Sequence, residues 1–155
     1  GMTLYLKEHP ALAGVTPWEL VGPLVAMKNV KLIHPRWHPH ELIRRSQLVC
    51  AINSTAGFEA LMIGKPVLCL GRPFYSGWGL THDWREVNAL PDLVRQALSA
   101  PLPSEEQLIT LLCRLRRQSY PATHFMRDDT VENAERTADS LVQAVSDRQA
   151  DRGLT

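Results

Sequence analysis

The stretch Cys50-Ala51-Ile52-Asn53-Ser54-Thr55-Ala56-Gly57-Phe58-Glu59-Ala60-Leu61-Met62-Ile63-Gly64-Lys65-Pro66-Val67 packs a strand, a helix and the start of a second strand into one short run. The apolar run from Leu48 reads as a buried strand to Asn53. Ser54 is a strong helix N-cap type, and the helix it opens runs to Ile63. Gly64 is the residue type that ends a helix in a left-handed turn, and the apolar run Pro66 to Leu70 then reads as the next strand. Strand, helix and strand with connections this short make a parallel pair joined by a crossover helix.

Working outward, the same alternation continues. Thr3 to Lys7 reads as a strand and Pro17 to Met27 as a helix, with Thr16 as its cap and Pro23 as a potential break. Val30 to Ile33 is a further strand, and Pro39 to Ser46 a short helix. The strands are continuous apolar runs rather than alternating ones, as expected where both sheet faces are covered. The fold class is therefore α/β: a Rossmann-like parallel sheet with helices on both faces. Residues 71–91, rich in Gly, Pro and aromatics, read as a long ordered loop, a length that usually serves function. Beyond it lie extra carboxyl-terminal helices: Ser104 with Gln107 makes a capping box, and Asp129 with Glu132 a second. Residues 3–147 are expected to form one domain and 148–155 a disordered tail.

The chain of 155 residues is 45% hydrophobic and 21% charged, with a net charge of +1. That near-neutral balance argues against nucleic acid as a partner, which calls for a concentrated basic face. No apolar run approaches the roughly 18 residues of a membrane-spanning helix. Cys50, Cys69 and Cys113 share no metal-ligand spacing and read as small hydrophobes of a reducing, cytoplasmic protein, Cys50 and Cys69 being buried.

Two constellations can carry chemistry. The helix opening at Ser54 and Thr55 presents backbone N–H groups, two hydroxyls and a positive dipole end at the carboxyl edge of a parallel sheet, which suits an anion. Asn53 precedes it, and Gly57 lets a ligand approach the backbone. Glu59 shares a helix face with Thr55 and is placed to accept from ribose hydroxyls. The alternative is a plain N-cap at Ser54 and a solvated Glu59. The second constellation, Lys7-Glu8-His9-Pro10, ends the first strand at the same sheet edge, with His9 and Lys7 facing a phosphate or merely closing a turn. In the loop, Arg72 and Tyr75, with Trp78, either close over a sugar or base or plug the sheet edge as core. His34, His38 and His40 share one Pro-rich turn but lack an acidic or Cys partner, so no metal is expected.

Lys7-Glu8-His9-Pro10, Asn53 to Leu61, Gly64-Lys65-Pro66-Val67 and Gly71-Arg72-Pro73-Phe74-Tyr75-Ser76-Gly77-Trp78-Gly79-Leu80-Thr81 together resemble the bacterial capsule polysaccharide synthesis and export family. The set is also similar to bacterial sialyl- and polysialyltransferases. The resemblance implies the carboxyl-terminal half of a GT-B glycosyltransferase that binds a CMP-activated acidic sugar, CMP-Kdo in the retaining β-Kdo transferases. It implies that His9 binds the CMP phosphate, that Ser54 and Thr55 form the second phosphate motif, and that no cofactor or metal is needed. It places the catalytic carboxylate in an amino-terminal GT-B domain and makes this chain begin at the donor domain's first strand, so no catalytic residue is expected here. The implied partners are the nucleotide sugar, that missing domain and a polysaccharide or glycolipid acceptor, at the inner face of the bacterial inner membrane. The last helix of GT-B enzymes commonly packs on the amino-terminal domain, so the apolar stripe of Val131, Ala134, Ala138, Leu141, Val142 and Val145 is expected to seek a partner by weak self-association. The rivals are a UDP-sugar transferase or epimerase and a non-catalytic nucleotide- or polysaccharide-binding module of an export complex.

Overall fold

The computed structural model describes residues 1–123 and 128–153. The chain forms two compact units, Gly1–Ala100 and Pro101–Thr155, where the sequence suggests one domain. The first unit is α/β with parallel sheets flanked by helices. Its elements are β1 (Leu4–Lys7), α1 (Trp18–Val25), β2 (Val30–Ile33), α2 (Pro39–Arg45), β3 (Val49–Ala51), α3 (Thr55–Met62), β4 (Val67–Cys69), β5 (His82–Asp83) and α4 (Leu90–Ser99).

The parallel strands divide over two sheets rather than one. β1 pairs with β2 from Leu4 opposite Val30 to Lys7 opposite Ile33. β4 lies between β3 and β5, all parallel. Both α3 and α4 pack on β4. That explains why Val67, Leu68 and Cys69 are all buried and why the strand is apolar without alternation. Ala60 and Leu61 of α3, Ala97 of α4 and Ile43 of α2 complete the core of this unit. Cys50 differs from the expectation in being exposed as a residue, although partial burial of its thiol still pushes it up.

Local chemistry explains the element ends. Gly64 has φ +70°, its N–H bonds Leu61 O at 3.1 Å, and the Lys65 N–H bonds Ala60 O at 2.9 Å. These two bonds satisfy the last α3 carbonyls in the Schellman arrangement. At α1 the cap differs from expectation: Pro17 holds the N-cap position and Thr16 offers no side-chain cap. Thr16 instead hydrogen-bonds Glu8, which with the Gly14 N–H holds the Glu8 carboxyl below the usual carboxylate range. Pro23 sits inside α1 without breaking it, and the helix ends two residues later.

The second unit holds α5 (Glu105–Arg117) and α6 (Val131–Gly153). The Ser104–Gln107 capping box forms in both directions. At α6 the cap is Thr130 rather than Asp129: its Oγ1 accepts from the Asn133 N–H at 3.2 Å. The Asn133 side chain is buried, donates to Thr123 O and Asp128 O, and accepts from the Thr123 N–H, so a buried amide is fully satisfied. α6 continues to Gly153, past the point where the tail is expected to disorder.

The apolar stripe on α6 is largely bare, with Leu141 64% and Val142 66% exposed. Such a stripe favours association. Amide protection over residues 131–147 is therefore expected to rise with protein concentration. Protection that is deep and independent of concentration would remove the case for self-association.

Candidate functional site

The amino end of α3 gathers several of the expected residues. Ser54 adopts an extended conformation (φ −77°, ψ 141°) and its Oγ accepts from the Ala56 N–H at 3.2 Å. The Gly57 N–H bonds Ser54 O at 3.3 Å. The cap therefore consumes part of the donor set that an anion could have used. What remains, among the described residues, is the Thr55 N–H together with the Ser54 hydroxyl proton, at the carboxyl edge of β3.

Glu59 lies one turn further along. Its Oε1 accepts from Thr55 Oγ1 at 3.5 Å, and its Oε2 lies 3.4 Å from His40 Nε2. His40 comes from the first turn of α2, which packs against α3. The carboxylate is thus held between a hydroxyl and an imidazole, and is only half-buried. A carboxylate so held keeps lone pairs for hydroxyl donors of a ligand. His40 is the member that sequence reasoning missed. Its signal is the Pro-rich turn of three histidines, and its partner is not its sequence neighbour Glu41 but Glu59, brought to it in space from α3. Among the described residues no group of three or more His, Cys, Asp or Glu is placed to hold a metal ion.

Two expected ligand contacts are corrected. Tyr75 is fully buried, and its hydroxyl donates to Ser54 O at 2.7 Å. Burial pushes that hydroxyl up to about 12. Tyr75 packs against Phe58 and Phe74 and serves as the prop beneath the α3 cap, so its ring cannot close over a sugar. Gly57 is buried under that prop: a Cβ there would overlap the Tyr75 hydroxyl and stand 2.9 Å from its Cζ. Tyr75 by itself requires the glycine.

The loop that follows β4 is ordered by one carboxylate. Asp83 accepts from the Gly77 N–H at 2.8 Å, from Thr81 Oγ1 at 2.7 Å and from Arg85 at 3.0 Å. The segment expected as a loop thus contains the short strand β5. Arg72 is exposed beside Gly71, where a Cβ would stand 2.9 Å from Asn53 Oδ1. That close approach places Arg72 and Asn53 at the same rim as Ser54.

Lys7 ends β1, in the other sheet, His9 caps the turn that follows it, and neither makes a direct hydrogen bond to the α3 group among the described residues. Lys7 Nζ donates to Glu8 O at 3.3 Å. His9 is exposed, and its Nδ1 accepts from the Ala11 N–H at 3.2 Å. Nδ1 is therefore the unprotonated nitrogen, and the neutral ring carries its proton on the outward Nε2, where it can donate to an anion. His34, which ends β2 ahead of Pro35, does the same through the Arg36 N–H at 3.2 Å. The turn geometry thus belongs to His-Pro at a strand end, and chemistry must separate the two.

Residues 1–96 match the family described as "Capsule polysaccharide biosynthesis protein", and the chain belongs to that family. It is 32% identical over 95 residues to the capsule polysaccharide modification protein LipA of Neisseria meningitidis serogroup B, covering 61% of this chain and 14% of that protein. It is 31% identical over 103 residues to the capsule polysaccharide export protein KpsS of Escherichia coli, covering 58% of this chain and 25% of that protein. Among solved structures it is similar to KpsC, the beta Kdo 2,4 transferase of Thermosulfurimonas dismutans, at 30% identity and a TM-score of 0.42, over 69% of this chain and 30% of that one. The chain therefore spans a quarter or less of the length of these two relatives. Every expected site residue lies within the matched residues 1–96.

Proposed function

We propose that residues 1–100 are the donor-binding part of a GT-B glycosyltransferase of capsule or surface polysaccharide assembly, taking a CMP-activated acidic sugar such as CMP-Kdo. The observation that carries this reading is the α3 amino end, where the Ser54 hydroxyl and the Thr55 N–H at a sheet's carboxyl edge stand one turn from a Glu59 carboxylate held by Thr55 and His40. The first set suits a phosphate and the second a ribose diol. Membership of the capsule biosynthesis family supports the sugar chemistry. The acceptor would be a growing polysaccharide or glycolipid at the inner face of the membrane. Among the described residues no helix is long and apolar enough to cross a membrane.

Titration calorimetry tests the donor directly. CMP is expected to bind this chain weakly and UDP at least about tenfold more weakly, a difference of about 1.4 kcal/mol. Equal binding, or preference for UDP, would move the reading to the UDP-sugar enzymes. Sugar transfer by these 155 residues alone is expected to be nil, because on this reading the acid that would act on the sugar belongs to a domain outside them. Measurable turnover would overturn that division of labour.

A further inference from the structure

The two half-sheets of the first unit end on unpaired edges that face the same problem. The Leu4 N–H bonds Asn29 O at 2.8 Å, so Leu4 and Leu6 turn their amides to β2, and Tyr5, by alternation, turns its amide to the open side. The Val49 N–H bonds Pro66 O at 3.0 Å, so Cys50 likewise points its amide away from β4. A long open parallel edge is rare in α/β folds, which cover or pair their strands.

The helices say how the halves are arranged. Crossovers between parallel strands are right-handed. α2, which carries the chain from β2 to β3, packs against α3, so both lie on one face. α1 packs on β2 rather than alongside α2. A chain that winds outward from β1 to β2 on one face, and outward from β3 to β4 on the other, is doubly wound, with β1 and β3 innermost. The strand order is then β2-β1, a slot, β3-β4-β5. In the six-stranded doubly wound order 3-2-1-4-5-6 the strand in that slot is the one that precedes β1 in sequence.

The bare faces agree. Ala51 faces α3, since a Cβ on Gly57 would stand 3.1 Å from the Ala51 Cβ. Cys50 and Ile52 therefore lie on the opposite face, where Cys50 is exposed and Ile52 is 64% exposed. In the other half-sheet Leu4 and Leu32 share one face and Tyr5, by alternation, lies on the other, and all three are exposed. A strand in the slot followed by a right-handed crossover helix into β1 would cover the face opposite α3.

We propose that the slot between β1 and β3 takes one further parallel strand, supplied with its crossover helix by the same polypeptide upstream of these residues, which joins the two half-sheets into one. The relatives are long enough to supply it, since this chain spans 14% of one and 25% of another. The donor unit then holds one more strand–helix step than the family resemblance suggests, and β1 is its second strand.

Amide exchange and thiol labelling test this in two forms of the protein, as given and extended upstream through its reading frame by about 30 residues, the length of a strand–helix step. In the chain as given, the Tyr5 and Cys50 amides are expected to exchange fast while Leu6 and Ala51 are protected. The Cys50 thiol, in a Cys113→Ser background, is expected to react readily with a maleimide. In the extended chain, both amides and the thiol should slow by about tenfold or more. Protection of Tyr5 and Cys50 in the chain as given, at all concentrations, would mean that β1 and β3 close on each other and would overturn the proposal. Protection there that grows with concentration would make a second copy the occupant and overturn it equally. So would an extension that changes neither amides nor thiol.

Discussion

Gly57→Ala is expected to destabilise the first unit by about 3 kcal/mol, although alanine is the better helix former. Three effects compete. Helix propensity favours alanine over glycine by about 1 kcal/mol. Against it, the new methyl overlaps the Tyr75 hydroxyl and lies 2.9 Å from Cζ, where the ring is fully buried and braced by Phe58 and Phe74. Overpacking of that kind costs about 1–3 kcal/mol. A ring that shifts to relieve part of the overlap also breaks the bond from Tyr75 to Ser54 O, and leaving a buried donor unmade costs about 1–3 kcal/mol more. The clash and the lost bond together outweigh propensity. Urea unfolding of Gly57→Ala, Tyr75→Phe and the double variant separates the contributions. With phenylalanine at 75 the closest overlap is gone, so Gly57→Ala should cost about 1 kcal/mol or less in that background. Equal costs in both backgrounds would show that the glycine serves something other than Tyr75.

The same pair of residues shows where sequence reading stops. The strand–helix–strand core at Leu48 to Leu70 is legible, because apolar runs, the Ser54 cap and the Gly64 turn are each local signals. So is the Ser104–Gln107 box, whose two bonds span three residues. The role of Tyr75 is not legible, since its partner lies 21 residues away and an aromatic in a Gly-rich loop fits a ligand as readily as a core. His40 meets Glu59 only because α2 packs on α3, a tertiary fact. The split of the strands into two sheets is hidden for a related reason. Apolar runs announce strands, and their pairing depends on crossover geometry and on neighbours that a local pattern does not contain. At α1 and α6, by contrast, the difference is one residue: the cap expected at Thr16 and Asp129 sits at Pro17, which makes no side-chain cap, and at Thr130, whose hydroxyl accepts from the Asn133 N–H.

His9→Ala is expected to weaken CMP binding by about ten- to a hundredfold, the loss of one charge-assisted hydrogen bond of about 1.5–3 kcal/mol. The argument rests on the tautomer: Nδ1 is engaged by the Ala11 N–H, so the outward Nε2 holds the proton that a phosphate oxygen would accept. Cytidine lacks the phosphate, and its affinity should barely change. His34 supplies an internal control, because its Nδ1 accepts from the Arg36 N–H in the same way at the end of the neighbouring strand. If the His-Pro turn mattered only for shape, His34→Ala and His9→Ala would act alike. The donor-site reading requires instead that His34→Ala leave CMP binding within about twofold of the parent, well below the roughly 1.4 kcal/mol that marks a tenfold change. Glu59→Gln should behave differently from both. It replaces an acceptor held by Thr55 and His40 with an amide of the same shape, and the loss should fall equally on CMP and cytidine because both carry the ribose. The diagnostic result is therefore a crossed pattern in calorimetry, with phosphate-dependent loss at position 9, ribose-dependent loss at position 59 and none at position 34. Equal losses for CMP and cytidine in His9→Ala would make that histidine a turn residue and leave the phosphate to α3 alone.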